Sequence, residues 1–170
     1  QNWLVLSNWT WWKYDVIFID GLHKSYQVKK DIENSLRVLS PNGYVILHDC
    51  NPPTSHMARE NYRTEYGYEP WNGTVWKAIY NLRTTRKDLH VCVVDTDWGI
   101  GIVKRNELFD TKLVWNHNEF YEFNVMDANR EEDLGLISIE QFLQDVGWIF
   151  TMEYKKGFWK NPYIVESNWE

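Results

Sequence analysis

The chain has 170 residues, a formal net charge of −6 and a hydrophobic content of 44%. This length and composition predict about one soluble globular domain and exclude a disordered or fibrous protein. The acidic balance, without a run of Lys or Arg, argues against binding to nucleic acid or to an anionic membrane, and no apolar run reaches the roughly 20 residues of a membrane span. Two cysteines, Cys50 and Cys92, are too few for a disulfide scaffold, so a reducing, cytoplasmic location is expected.

Residues 14–49 follow a strand, helix, turn, strand pattern. The continuous apolar run in residues 14–20 predicts a strand that is buried on both faces. A helix is predicted over about 27–39, with its apolar stripe at Val28, Ile32, Leu36 and Leu39. Pro41-Asn42-Gly43 is predicted to end that helix and turn the chain, and residues 44–49 repeat the strand pattern. A strand, a crossover helix and a second strand predict two parallel neighbours in one sheet.

The remaining elements are predicted from turn and capping signals. Residues 50–73 have the composition of a long loop, and Thr74 is placed to cap a helix that follows it. Strands at about 90–95 and 99–104, with a short connection between them, predict an antiparallel hairpin that completes a mixed sheet. Ser138-x-x-Gln141 matches a capping box and predicts a helix N-terminus.

Each of the first two predicted strands ends in an acid, Asp20 or Asp49. Parallel neighbours place these ends at the same edge of the sheet, and ligands bind at that carboxyl edge in open α/β sheets. Two convergent carboxylates suit a hard cation such as Mg²⁺, which prefers oxygen ligands. His23 lies three residues after Asp20, and a nearby imidazole can remove a proton from a hydroxyl that the ion acidifies.

The stretch YDVIFIDGLHKSYQVKKDIENSLRVLSPNGYVILHDCNPP, residues 14–53, resembles the second half of a class I S-adenosylmethionine-dependent methyltransferase. More narrowly, it is similar to small-molecule O-methyltransferases that have an acid-Gly-x-His turn followed by a His-Asp strand end. Asn72-Gly73-Thr74-Val75-Trp76-Lys77 continues the likeness. The resemblance implies an α/β, Rossmann-like fold, here partial, with a mixed sheet, a C-terminal antiparallel hairpin and helices on both faces. The Gly-rich turn that holds the family's cofactor lies in its first half, which has no counterpart here, so the cofactor-binding residues stay unassigned.

The resemblance also implies a function. It is transfer of a methyl group from S-adenosylmethionine to a sugar or another small, polyol-like hydroxylated acceptor, with the assistance of Mg²⁺. Carried over residue by residue, Asp20 and Asp49 are the metal ligands, Asn51 is an additional ligand and His23 is the catalytic base. The alternative is a non-catalytic half-domain that serves as an interaction module.

Simpler roles stand beside these assignments. Asp20 can cap the following turn, and Asp49 can bind backbone amides of a turn. His48 is expected to pack under a helix, while His56, His90 and His117 are expected at the surface. Cys50 and Cys92 are expected to be small buried residues rather than nucleophiles. Trp71, Trp76 and Trp98 either stack on the acceptor or serve packing.

The chain is expected to divide into three parts. Residues 1–13 form an N-terminal segment that covers the sheet edge, residues 14–105 form the methyltransferase-like half-domain, and residues 106–170 form a helical, aromatic extension. Leu4-Val5-Leu6 is the segment apolar enough to add a strand to the exposed edge. A homo-oligomer or a complementary chain would cover that edge equally well.

Overall fold

A computed structural model describes residues 13–146 of the chain. In chain order its helices and strands are β1 (Tyr14–Ile19), α1 (Ser25–Val38), β2 (Leu39–Leu47), β3 (Arg63–Thr64), β4 (Gly67–Tyr68), α2 (Val75–Thr85), β5 (Leu89–Val94), β6 (Ile100–Arg105), α3 (Phe123–Ala128), α4 (Arg130–Leu134), β7 (Leu136–Ile137) and α5 (Ile139–Asp145). No helix among these is long and apolar enough to span a bilayer.

The main sheet has five strands in the order β1-β2-β6-β5-β7. Strands β1 and β2 are parallel neighbours, as the sequence predicts. Strand β6 lies antiparallel between β2 and β5, and β7 pairs in parallel with β5. The two-residue strands β3 and β4 form a separate small hairpin inside the long loop. This mixed sheet confirms the predicted α/β, Rossmann-like fold.

The core lies between one face of the sheet and helices α1 and α2. Val28, Ile32 and Leu36 recur along one stripe of α1 and are buried, because spacings of four residues return a side chain to the same face. They belong to the same apolar cluster as Val45 and Leu47 of β2. Full burial of an aliphatic side chain of this size contributes about 1.5–3 kcal/mol. This packing fixes the two strand ends that carry the candidate site.

Strand β1 is not buried on both faces, so that expectation is wrong for the described residues. Tyr14, Val16 and Phe18 are 55%, 56% and 59% exposed. Their side chains share one face because side chains alternate along a strand. β1 lies at the end of the strand order, and within residues 13–146 no further strand pairs with its free edge.

The predicted turn at Pro41-Asn42-Gly43 is also wrong. Strand β2 begins at Leu39 and runs through these residues. Tyr14 pairs with Leu39 and Val16 pairs with Tyr44, so the extra residues of β2 form an irregularity in the register. The helix therefore passes directly into the strand, and a bulge takes the place of the turn.

Residues 106–137 add short elements that local patterns did not predict. Helices α3 and α4 bury Met126 and Leu134 completely, and β7 joins the main sheet. Ser138 accepts a hydrogen bond from the backbone N–H of Gln141 at 3.1 Å, which confirms the predicted N-cap of α5. The predicted strand at Leu4-Val5-Leu6 and the Trp-rich ends of the chain lie outside the described residues.

Candidate functional site at the ends of β1 and β2

The candidate site is formed where the two parallel strands end. The backbone N–H of His48 donates to the carbonyl of Ile19 at 3.1 Å, so the ends of β1 and β2 lie side by side. Asp20 directly follows β1, and Asp49 follows β2 by two residues. One ligand atom each from Asp20, His23 and Asp49 lies within 4.8 Å of the others. The structure therefore brings together three of the four predicted site residues.

The imidazole of His23 lies between the two carboxylates. Its Nε2 is 3.1 Å from Asp20 Oδ1, and its Nδ1 is 3.1 Å from Asp49 Oδ2. Nδ1 is also 3.2 Å from the carbonyl of Trp71, to which it donates when it carries the proton. Asp20 is therefore paired with His23, and the residue at the N-cap of α1 is Lys24 rather than this acid.

His48 lies in the site as well, so the expectation that it packs under a helix is wrong. Its Nδ1 is 3.3 Å from Asp49 Oδ2 and its Nε2 is 3.2 Å from Asp97 Oδ2. Burial lowers the pKa of His48, but the carboxylates of Asp49, Asp97 and Asp20 together outweigh burial and raise it above its ordinary value. His48 thus links the candidate site to the turn between β5 and β6.

Asp49 is the buried acid of the group and has an unusual backbone. Its φ is 63°, and only 3% of the residue is exposed. Burial raises the pKa of its carboxyl group, while His23, His48 and the Asn72 amide act in the opposite direction. Asn72 Nδ2 donates to Asp49 Oδ1 at 2.5 Å. The partner of Asp49 is thus a side-chain amide, in addition to the two imidazoles.

Asn51 is engaged elsewhere. Its Nδ2 donates to Asp95 Oδ1 at 3.0 Å, and its Oδ1 accepts from the guanidinium of Arg130. Arg130 also donates to the carbonyl of Pro52 at 2.9 Å. A role of Asn51 as a metal ligand stays a prediction, and in this conformation its only ligating oxygen is taken.

A tryptophan lies beside each histidine of the site. The rings of His23 and Trp71 are stacked with centroids 5.3 Å apart, and those of His48 and Trp98 are tilted with centroids 6.4 Å apart. Trp71 is held by a hydrogen bond from its Nε1 to the carbonyl of Arg59 at 2.7 Å, whereas Trp98 is 49% exposed. Trp76 is 1% exposed and serves the core, so the packing role is confirmed for this residue.

The turn that carries Trp98 is backbone-strained. Asp97, Trp98 and Gly99 have φ values of 43°, 58° and 90°. The carbonyls of Trp98 and Gly99 accept hydrogen bonds from the backbone N–H groups of Asn51 and Cys50. Strain of this kind persists only where its surroundings enforce it, and here it keeps a large ring at the rim of the site.

Cys50 directly follows Asp49, whereas Cys92 and the other three histidines are not part of this group. His56, His90 and His117 are exposed, as expected. Cys50 is fully buried, and burial raises its pKa far above the usual range. Cys92 is half-buried, with a pKa raised by burial to about 11. Neither thiol is an effective nucleophile near neutral pH, because the thiolate is the reactive form.

The family comparison agrees with this architecture. A family model described as "Methyltransferase domain" matches residues 5–50, a span that contains β1, α1, β2, Asp20, His23 and Asp49. Together with the mixed sheet, the match supports a class I S-adenosylmethionine-dependent methyltransferase domain. S-adenosylmethionine is accordingly the methyl donor of this class. Comparisons with curated proteins and with solved structures each find no match.

Proposed function

We propose that the chain acts in S-adenosylmethionine-dependent O-methylation of a sugar or another small, polyol-like acceptor, with a divalent cation held at the carboxyl ends of β1 and β2. The observation that supports it is the convergence of Asp20, His23 and Asp49 within 4.8 Å. The family match supplies the methyl-transfer chemistry, and this cluster supplies an ion site and a base.

The donor set fits a divalent cation. Ligands at about 2.1 Å from an ion lie roughly 3 Å apart when adjacent and about 4 Å apart when opposite, which is close to the spacing of this group. Two carboxylates suit Mg²⁺ or Mn²⁺, and the neighbouring imidazole is tolerated better by Mn²⁺. Asp20 and Asp49 would hold the ion. When bound, it would polarise an acceptor hydroxyl and lower the pKa of that hydroxyl.

His23 is placed to act as the base. A proton on Nδ1, donated to Asp49 or to the carbonyl of Trp71, leaves the lone pair of Nε2 to act as the base once Asp20 Oδ1, which lies 3.1 Å from Nε2 here, turns toward the ion. Nε2 faces Asp20, where the acceptor hydroxyl would lie beside the ion. When bound, S-adenosylmethionine would supply the methyl group, and His23 would take the proton of the acceptor hydroxyl.

The two rings at the rim suit an acceptor that has a flat face. Trp71 is fixed against His23, and Trp98 is half exposed beside His48. Tryptophan faces pack against aryl rings and against the C–H face of sugars. We assign no residue of the chain to the cofactor.

Titration calorimetry with Mn²⁺ tests the ion site. Asp20→Asn and Asp49→Asn should each weaken Mn²⁺ binding by more than tenfold. Loss of a residue that only supports a metal ligand typically costs about 10–100-fold in affinity, so loss of a direct ligand should cost at least as much. His23→Ala should retain binding and lose methyl transfer, followed as formation of S-adenosylhomocysteine with catechol and methyl hexosides as acceptors. Asp31→Asn is the matched control, since Asp31 pairs with Gln27 on α1. Parental affinity in either of the first two variants would contradict the ligand assignment.

A second function, a non-catalytic interaction module, is favoured by the edge of β1, with which no other strand among residues 13–146 pairs. Tyr14, Val16 and Phe18 expose a contiguous apolar face there. Calorimetric titration of the chain with S-adenosylmethionine separates the two functions. Binding supports the enzyme, and no heat at millimolar cofactor supports the interaction module.

A further inference from the structure

Asn72 is a fully buried amide at the centre of the candidate site. It is 0% exposed, and its Nδ2 donates to Asp49 Oδ1 at 2.5 Å. We propose that Asn72 is a positioning residue that holds one oxygen of Asp49 so that the other faces the ion. This inference rests on the proposed function and adds a residue that the sequence did not single out as part of the site.

The two oxygens of Asp49 have separate partners. Oδ1 receives the amide of Asn72, whereas Oδ2 lies 3.1 Å from His23 Nδ1 and 3.3 Å from His48 Nδ1. A carboxylate without such a donor can rotate about its Cβ–Cγ bond, which changes the direction in which each oxygen points. Because Asn72 donates to one oxygen only, it selects the orientation in which Oδ2 points toward His23 and the candidate ion position.

The nitrogen of the Asn72 amide, rather than its oxygen, faces Asp49, because a carboxylate can only accept a hydrogen bond. Exchanging its nitrogen and oxygen would place an amide oxygen against a carboxylate oxygen, which is repulsive. Asn72 Oδ1 has no hydrogen-bond partner among the described residues. A buried polar atom left without a partner costs about 1–3 kcal/mol of stability. Stability alone therefore does not explain a buried amide here, whereas its hydrogen bond to Asp49 does.

The backbone around Asn72 is tied to the turn that carries His23. The N–H groups of Asn72 and Gly73 donate to the carbonyl of Met57 at 3.0 Å each, and the N–H of Thr74 donates to the carbonyl of His23 at 2.8 Å. Thr74 Oγ1 accepts from the N–H of Ser25 in the first turn of α1 at 2.9 Å. One three-residue segment, 72–74, therefore holds both Asp49 and His23.

The test compares Mn²⁺ binding by the parent chain and by Asn72→Leu, which has a similar volume and no donor. Outer-shell partners of metal ligands typically contribute 10–100-fold to affinity, so we expect a loss of that size. The control is Asn118→Leu, which removes another buried asparagine that bonds to Glu122. It should lower the melting temperature without changing the affinity for Mn²⁺.

If Asn72→Leu does not fold, Asn72→Ser is measured instead by the rise in melting temperature that Mn²⁺ causes. A folded variant that binds Mn²⁺ within twofold of the parent would overturn the role of Asn72 while leaving the ion site intact. A parent chain that binds no Mn²⁺ would overturn the ion site and the positioning role together. The two failures are therefore distinguishable.

Discussion

Replacing Gly73 with alanine tests whether the segment 72–74 holds the site together. Gly73 has a φ of +66°, and a Cβ atom there would lie 2.1 Å from the carbonyl oxygen and 2.7 Å from the Cβ of His23. The left-handed conformation costs a non-glycine residue about 1–2 kcal/mol. The overlap with backbone adds about 1–3 kcal/mol, because backbone cannot move aside as a long side chain can. The expected loss of stability is about 2–5 kcal/mol.

Thermal unfolding followed by circular dichroism measures this loss. For a chain of this size, 1 kcal/mol corresponds to about 2–4 °C, so Gly73→Ala should lower the melting temperature by about 4–20 °C. Gly67→Ala is the control for backbone strain alone, since Gly67 also has a positive φ and nothing within 4 Å of a new Cβ. If Gly73→Ala melts no lower than Gly67→Ala and binds Mn²⁺ like the parent, the close contact between Gly73 and His23 does not organise the site.

Three further predictions concern other parts of the molecule. Burial raises the pKa of Asp133; the charge of Glu132 also raises it, while His117 and Arg83 lower it. Just above pH 4, about the pKa of an unfolded Asp, the native state therefore binds more protons than the unfolded state. The free energy of unfolding should therefore fall as the pH rises from the unfolded to the native pKa of Asp133. Asp133→Asn should reduce this pH dependence, which urea unfolding at a series of pH values measures. Because the ring of Trp98 is half exposed, Trp98→Ala should change the free energy of unfolding by less than about 1 kcal/mol and should not change Mn²⁺ binding. It should raise the KM for the acceptor, and Trp98→Phe is the conservative control. Deletion of residues 1–12 should cause self-association in sedimentation velocity, because we expect the N-terminal segment to cover the edge of β1, and a soluble, folded monomer would contradict that expectation.

The sequence predicts the β1-α1-β2 unit well because its signals are local. The continuous apolar run and the four-residue spacing of Val28, Ile32 and Leu36 each report the structure of their own segment. Helices α3 and α4 have 6 and 5 residues, which is too short for a helical period to be read. The exposed face of β1 was missed because the neighbours of a strand are not encoded in its own residues.

The candidate site was predicted in part for the same reason. Asp20 and Asp49 follow strands whose parallel pairing places their ends together, so simple topology brings them to one edge. The expectation that His48 packs under a helix is wrong because β2 ends at Leu47 and the chain turns at Asp49. Asn72 was missed because its contact with Asp49 joins residues 23 positions apart, and no local pattern encodes such a contact.

A crystal structure of the chain grown with Mn²⁺, with anomalous scattering used to locate the ion, tests the central claim most directly. The account predicts one strong peak within about 2.0–2.3 Å of a carboxylate oxygen of Asp20 and of Asp49 Oδ2, with Asn72 still bonded to Asp49 Oδ1. A peak elsewhere, or no peak at saturating Mn²⁺, would contradict a metal-assisted site at the ends of β1 and β2.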